Sequence, residues 1–295
     1  MGVRHLLSFS CSPPTLSLLL LLLSVAQCGY GRKVGFLQNF RVTWSGSHVR
    51  QLEDGSSIQL SLDQSSGSGF ASKDQYMFGR VSMRIKLIPG DSAGTVTAFY
   101  MSSDKFDTRD ELDFEFLGNR TGQPITVQTN VYANGFGNRE QRVNLWFDPS
   151  LDFHNYTIFW NRAHAIFLVD DVPIRVYKNN MDRGVPYPIS QPMRVVSTLW
   201  NADNWATRGG LEKIDWKNAP FHTYYRDFDI EGCVVPGPAG CAQNPRNWWD
   251  EPTYLRLNPV QARKYRWVRL NYMIYDYCRD TSRYPVPPPE CTAGI

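Results

Sequence analysis

Between about Val34 and Phe228 the apolar residues recur in short runs separated by turn-forming residues. Residues 57–62, 81–87, 95–101, 143–147, 156–160, 166–169 and 174–177 each alternate or run apolar, and Asp170-Asp171 supplies a turn between two of them. Short runs rich in β-branched and aromatic residues, with no helical periodicity between them, predict an all-β chain folded as a two-sheet sandwich. Alternation alone does not select a jelly roll from other sandwiches. No internal repeat is visible.

One run is chemically unusual. Residues 109–119 read Arg-Asp-Glu-Leu-Asp-Phe-Glu-Phe-Leu-Gly-Asn. Side chains alternate across a strand, so Glu111, Asp113 and Glu115 share one face and Leu112, Phe114 and Phe116 the other. Acidic residues are depleted in strands, and like charges on one face repel, so this face needs a reason. Three readings fit: a solvated acidic edge, a calcium site built from clustered carboxylates, or a carboxylate pair for glycoside chemistry. Retaining glycosidases hold the pair about 5–5.5 Å apart and inverting ones about 6.5–9.5 Å. Four residues of strand separate the two Glu Cα atoms by about 13 Å. Side chains leaning inward bring the carboxyls to roughly 6 Å with Asp113 between them, which favours retention.

This stretch resembles the active-site signature of plant xyloglucan endotransglucosylase/hydrolases, members of glycoside hydrolase family 16. The likeness covers essentially the whole mature chain. It implies a jelly roll with a sugar-binding cleft on its concave sheet, Glu111 as nucleophile, Glu115 as general acid/base and Asp113 as the helper between them. It also implies substrate contacts from Gln128, Thr129 and Asn130 on the following strand, where pattern alone would equally allow an ordinary polar face. Asn138, Arg139 and Glu140 occupy the next comparable position. Residues 199–210 are a second match: Trp200 and Trp205 as stacking platforms, Asn204 beside them, and Gly209 allowing close backbone approach. Arg283 matches a position on the acceptor side. Arg109 stands where many members have His, and Asn204 where many have Asp; neither change removes a catalytic group. No insertion of the kind carried by the hydrolytic branch precedes residues 197–200.

The chain has 295 residues, 42% apolar and 14% aromatic, enough for one large β domain with an appendage. A net charge of +3 is too small to imply nucleic acid. The five His residues form no triad, which disfavours a Ser-His-Asp hydrolase. Arg4, an apolar run over 16–25 and Ala26-Gln27-Cys28 before Gly29 read as a secretory signal peptide over residues 1–29. The run is shorter than the roughly 20 apolar residues of a membrane span. Cleavage leaves Cys233, Cys241, Cys278 and Cys291, an even count with three possible connectivities. No His clusters with them, so zinc is not indicated. Pairing Cys233 with Cys241 and Cys278 with Cys291 is the simplest choice, and the resemblance agrees. Two Asn-x-Thr sequons begin at Asn119 and Asn155; the resemblance supports a glycan at Asn119.

The composition changes after about Asp229, which places a catalytic domain over 30–228 and a C-terminal extension over 229–295. Asn258-Pro259 reads as an N-cap and first-turn pair opening a helix over 260–269, with Tyr265 and Val268 facing the sandwich. Residues 272–277 read as one further strand, and the proline-rich 285–289 as an extended tail. This part resembles the extension that separates xyloglucan enzymes from shorter bacterial β-glucanases. The expectation is a secreted transferase of the cell wall and apoplast, cutting and rejoining xyloglucan. It would act as a monomer on a xyloglucan donor and a xyloglucan or oligosaccharide acceptor. No cofactor, metal, nucleic acid or, after signal cleavage, membrane is implied. The rivals are a xyloglucan or mixed-linkage glucan hydrolase, and a lectin-like sandwich that binds β-glucan without chemistry.

Overall fold

The computed structural model describes residues 36–244 and 246–292; the expected signal peptide lies outside the described residues. A single helical turn, α1 (Phe36–Asn39), opens the described chain. Fifteen strands follow among these residues: β1 Phe40–Trp44, β2 Val49–Leu52, β3 Ser57–Leu62, β4 Ser68–Ser72, β5 Gln75–Lys86, β6 Thr95–Ser102, β7 Glu111–Leu117, β8 Thr126–Tyr132, β9 Gln141–Asn144, β10 His154–Trp160, β11 His164–Val169, β12 Val172–Lys178, β13 Arg194–Asn201, β14 Phe221–Val235 and β15 Met273–Asp276. Eight make one antiparallel sheet in the order β1, β4, β13, β6, β7, β8, β9, β15. Seven make the other, in the order β12, β11, β10, β5, β14, β3, β2. The two form the jelly-roll sandwich expected from the sequence.

The inner faces meet in an aromatic core. Leu112, Phe114 and Phe116 of β7 are buried. The Phe114 ring stacks on Phe99 of its own sheet at 5.8 Å and meets Phe167 of the opposite sheet edge-on at 5.2 Å. Phe116 packs on Tyr156 at 4.7 Å. Burying one such ring stabilises the fold by about 1.5–3 kcal/mol, so this strand's orientation is set from behind. A one-residue slip would put three acids into that core.

The extension differs from a simple appendage. Its helix, α2 (Pro259–Asn271), begins as the sequence predicts: Asn258 accepts from the Val260 and Gln261 amides, and Gln261 returns a bond to the Asn258 amide. Tyr265 and Val268 are buried. The further strand is shorter than residues 272–277, because Tyr277–Arg279 turns into a 3-10 helix. β15 does not stand apart; it pairs with β9 and completes the eight-stranded sheet. The expected run at 143–147 likewise ends at Asn144. Trp146 beyond it meets Trp267 and Tyr272 of the extension at 5.2 and 5.7 Å. β14 runs unbroken through Asp229, so the composition change falls inside a strand. Disulfides join Cys233 to Cys241 and Cys278 to Cys291, as expected.

Candidate active site

Register decides what faces what on the eight-stranded sheet. Its pairings put Trp44, Gly69, Thr198, Ala98, Glu115, Gln128, Arg142 and Tyr275 in one cross-strand row. A second row holds Arg41, Ala71, Val196, Tyr100, Asp113 and Asn130. A third runs through Arg194, Ser102, Glu111 and Tyr132. Directly opposed residues share a face, so the rows lie on the side away from the Phe114 core. The three acids sit in successive rows of that face. Among the described residues no group of three or more His, Cys, Asp or Glu is arranged to hold a metal ion.

Each acid has a different environment. Glu111 is partly exposed and lies 3.3 Å from Arg109, whose guanidinium rests over the Tyr132 ring at 4.5 Å. Asp113 is buried between the two glutamates. Burial first, and then the charges of Glu111 and Glu115, hold its carboxyl well above the ordinary range; Arg109 and Arg175 oppose them. Glu115 is raised too, chiefly by burial, with Glu111 and Glu140 adding to the shift. The influences opposing this on Glu115 are, first, a 2.6 Å bond from Gln128 Nε2 to its Oε2 and, second, the charge of Arg142. Arg142 Nε donates to Gln128 Oε1 at 2.7 Å, which fixes that amide with its NH₂ toward the acid. A buried carboxyl with raised affinity for its proton is suited to general acid work, and a partly exposed one beside a cation to nucleophilic attack.

The expected substrate contacts divide. Gln128 is engaged with Glu115. Asn130 Oδ1 accepts from the Val131 and Arg139 amides. Two others point elsewhere. Thr129 faces the core, where its Oγ1 and carbonyl accept from Arg175 at 3.1 and 2.7 Å. Arg139 is buried, with its Nε on Glu290 at 2.9 Å. Thr129 is the middle residue of its triplet in β8, and alternation turns it away from its neighbours; Arg139 lies in the segment before β9, after Asn138 at a left-handed φ of 64°. Arg283 bonds Glu140 at 2.6 Å and Asn138 at 2.7 Å, bringing three expected residues together at one end of the sheet.

Trp200 and Trp205 lie 5.9 Å apart, both partly exposed, and pack on the small buried residues Ala98, Ala202 and Ala206. Asn204 and Gly209 are exposed. Gly209 has a left-handed φ of 69°, but open space surrounds the position of a Cβ. It is Gly210 that a neighbour crowds: a Cβ there would lie 2.5 Å from the Asn204 carbonyl oxygen. Asn119, just after β7, donates to the Pro124 carbonyl at 2.9 Å, and Asn155 lies within β10; both are partly exposed.

Sequence reasoning missed Arg142, Tyr275 and Arg175. The Arg142 guanidinium sits over the Tyr275 ring at 5.5 Å, in line with Gln128. Arg175 crosses the sandwich from β12, fully buried, and among the described residues makes no ion pair. A signal for Arg142 existed: it follows Glu140 by two, in the short polar strand β9.

Two family models match separate parts of the chain. Residues 36–218 match the family described as glycosyl hydrolases family 16, and residues 243–291 match the xyloglucan endo-transglycosylase (XET) C-terminus. The chain is 68% identical over 262 residues to probable xyloglucan endotransglucosylase/hydrolase protein 6 of Arabidopsis thaliana, covering 89% of this chain and 90% of that one. It is 55% identical to xyloglucan endotransglucosylase protein 2 of Diospyros kaki, covering 88% of each. Among solved structures, a Bacillus licheniformis β-glucanase superposes with a TM-score of 0.54 at 26% identity, over 66% of this chain and 87% of that one. Apo Crh5 transglycosylase gives 0.57 at 25% identity, over 68% and 81%.

Proposed function

The chain belongs to family 16 of the glycosyl hydrolases, and we propose that its row of strand carboxylates performs the cutting and rejoining of xyloglucan. It is a xyloglucan transglycosylase of cell-wall remodelling. Glu111 attacks the anomeric carbon of a backbone glucosyl unit while Glu115 gives its proton to the departing oxygen. The C–O bond to the leaving chain breaks and an ester to Glu111 forms. Glu115, now ionised, takes the proton of an incoming sugar hydroxyl, whose oxygen displaces Glu111 and restores the β-linkage. Burial, with the charges of Glu111 and Glu140, helps Glu115 keep the proton it must deliver, and Asp113, itself held protonated between the two glutamates, positions them.

The single observation carrying these roles is the unequal setting of two glutamates on one face: Glu115 buried and bonded by Gln128, Glu111 partly open beside Arg109. Transfer rather than hydrolysis needs an acceptor held near Glu115, which makes its attack effectively intramolecular. Arg283, Glu140 and Asn138, together with Tyr275 and Arg142, form such a holding surface on one side of Glu115; Trp205 adds a stacking face. We take 30–228 as the catalytic unit and 229–295 as the extension completing the acceptor end. Secretion through the leader at 1–29 would deliver the enzyme to the apoplast, with a glycan at Asn119. No helix among the described residues is long and apolar enough to cross a membrane.

Feeding a labelled xyloglucan oligosaccharide with unlabelled polymer tests the reading. Label entering polymer supports transfer. Shortening without incorporation means hydrolysis, and binding without cleavage means a lectin. Glu111→Ala should abolish both cleavage and incorporation; full turnover by that variant would remove Glu111 from the reaction.

A further inference from the structure

The cross-strand row through Glu115 has two ends. One, at Arg142 and Tyr275, belongs to the acceptor surface. The other ends at Trp44, on the edge strand β1. Resting on the xyloglucan reading above, we propose that Trp44 is a stacking platform for a distant glucosyl unit of the donor chain.

Four steps separate β1 from β7 in the sheet order, so Trp44 lies about 19 Å from the catalytic strand at ~4.8 Å per strand. That is beyond a trisaccharide of β-1,4-linked glucose and within reach of a longer chain. The path between is low. Gly69, Thr198 and Ala98 occupy the row, with Ala71 alongside, so no long side chain rises from these positions of the sheet floor. A polysaccharide running across the strands from Glu115 passes over Ala98, Thr198 and Gly69 and reaches Trp44 at the rim.

The indole is placed rather than merely left over. It rests against Gly67: a Cβ there would come within 2.5 Å of the ring's Cη2 and 2.2 Å of the Leu199 carbonyl oxygen. No side chain fits beneath it, so the ring beds on backbone. Its remaining surface is open, at 42% exposure. Among the described residues no other aromatic ring contacts it, and its Nε1–H has no protein acceptor. An exposed indole with a free donor suits β-linked glucose. The axial C–H groups of that ring present an apolar face for stacking, and its equatorial hydroxyls accept from an N–H at the edge.

The test compares donors of two lengths in wild type, Trp44→Ala and Trp44→Tyr. One donor is polymeric xyloglucan. The other is an oligosaccharide with two backbone glucosyl units on the donor side, too short to reach β1. Trp44→Ala should raise the polymer KM about 2- to 10-fold, leave kcat unchanged and leave the short donor's kinetics unchanged. Trp44→Tyr should recover most of the loss. An unchanged polymer KM in Trp44→Ala, or an equal loss on both donors, overturns the platform. Failure of the wild type to turn over xyloglucan would instead overturn the functional reading. Titrating the same variants with a β-1,4-linked glucan oligosaccharide of five or more units then still decides the platform: weaker binding by Trp44→Ala supports it, and equal binding overturns it.

Discussion

Replacing Cys278 and Cys291 together by alanine opens the loop that carries Arg283. The two cysteines are 13 residues apart. For a loop of this size the chain-entropy model assigns the crosslink about 3 kcal/mol. The folded loop keeps other ties to the sheet: Arg283 to Glu140 and Asn138, the Tyr284 hydroxyl to the Asn138 carbonyl, and Glu290 to Arg139. The Arg283–Glu140 pair is about one-third exposed on the arginine side, so solvent screening limits it to about 0–1 kcal/mol. The crosslink is thus a larger contribution than that pair. Unfolding entropy near 2.1 cal/mol/K per residue over roughly 260 residues converts 3 kcal/mol into a fall of about 5 °C in Tm. Calorimetry should show that fall, and the labelled-acceptor assay should show a several-fold rise in acceptor KM with little change in donor cleavage. A double variant with unchanged Tm would refute the entropy argument. A lowered Tm with unchanged acceptor KM would mean that Arg283 keeps its place without the loop.

Two further predictions concern the acids themselves. Glu115→Gln should slow reaction of natural xyloglucan by about 10²- to 10⁴-fold but spare a donor whose aryl leaving group needs no proton; equal loss on both donors would remove Glu115 as the acid. Asp113 is held well above its ordinary 3.8, so the folded protein keeps a proton that the unfolded chain releases. Stability therefore declines as pH rises above the unfolded value toward the raised folded one. Asp113→Asn, which does not titrate, should match wild type in Tm below about pH 4 and exceed it increasingly above; parallel Tm curves across pH would contradict the burial argument.

The acid-bearing strand was legible because strand parity is a local property. Glu111, Asp113 and Glu115 could be assigned to one face without knowing any partner strand. The α2 cap was equally local, resting on Asn258, Pro259 and Gln261 within one turn, and the disulfides proved to be the short-range pairs, the simplest of three connectivities. What escaped depends on pairings across long stretches of chain. Nothing near Met273 states that its strand will lie beside Val143. Tyr275 and Arg142 become neighbours of Gln128 only through that register. Arg175 sits in an ordinary alternating run, and its crossing to Thr129 depends on how the two sheets face each other. Thr129 and Arg139 were carried with their motifs as units, although alternation turns Thr129 inward and the left-handed backbone at Asn138 leads Arg139 inward.

β15 also answers a problem of solubility. Without it the eight-stranded sheet would stop at β9, leaving a row of unpaired amides and carbonyls beside the reaction face. Such a row is a template for strand addition by another chain. β15 occupies it with only four residues, is bulged between Met273 and Tyr275, and turns at once into the disulfide-closed loop. A short, kinked rim offers little to a second molecule. The extension thereby keeps neighbouring copies from zipping together along the one sheet that must stay open to long polymers.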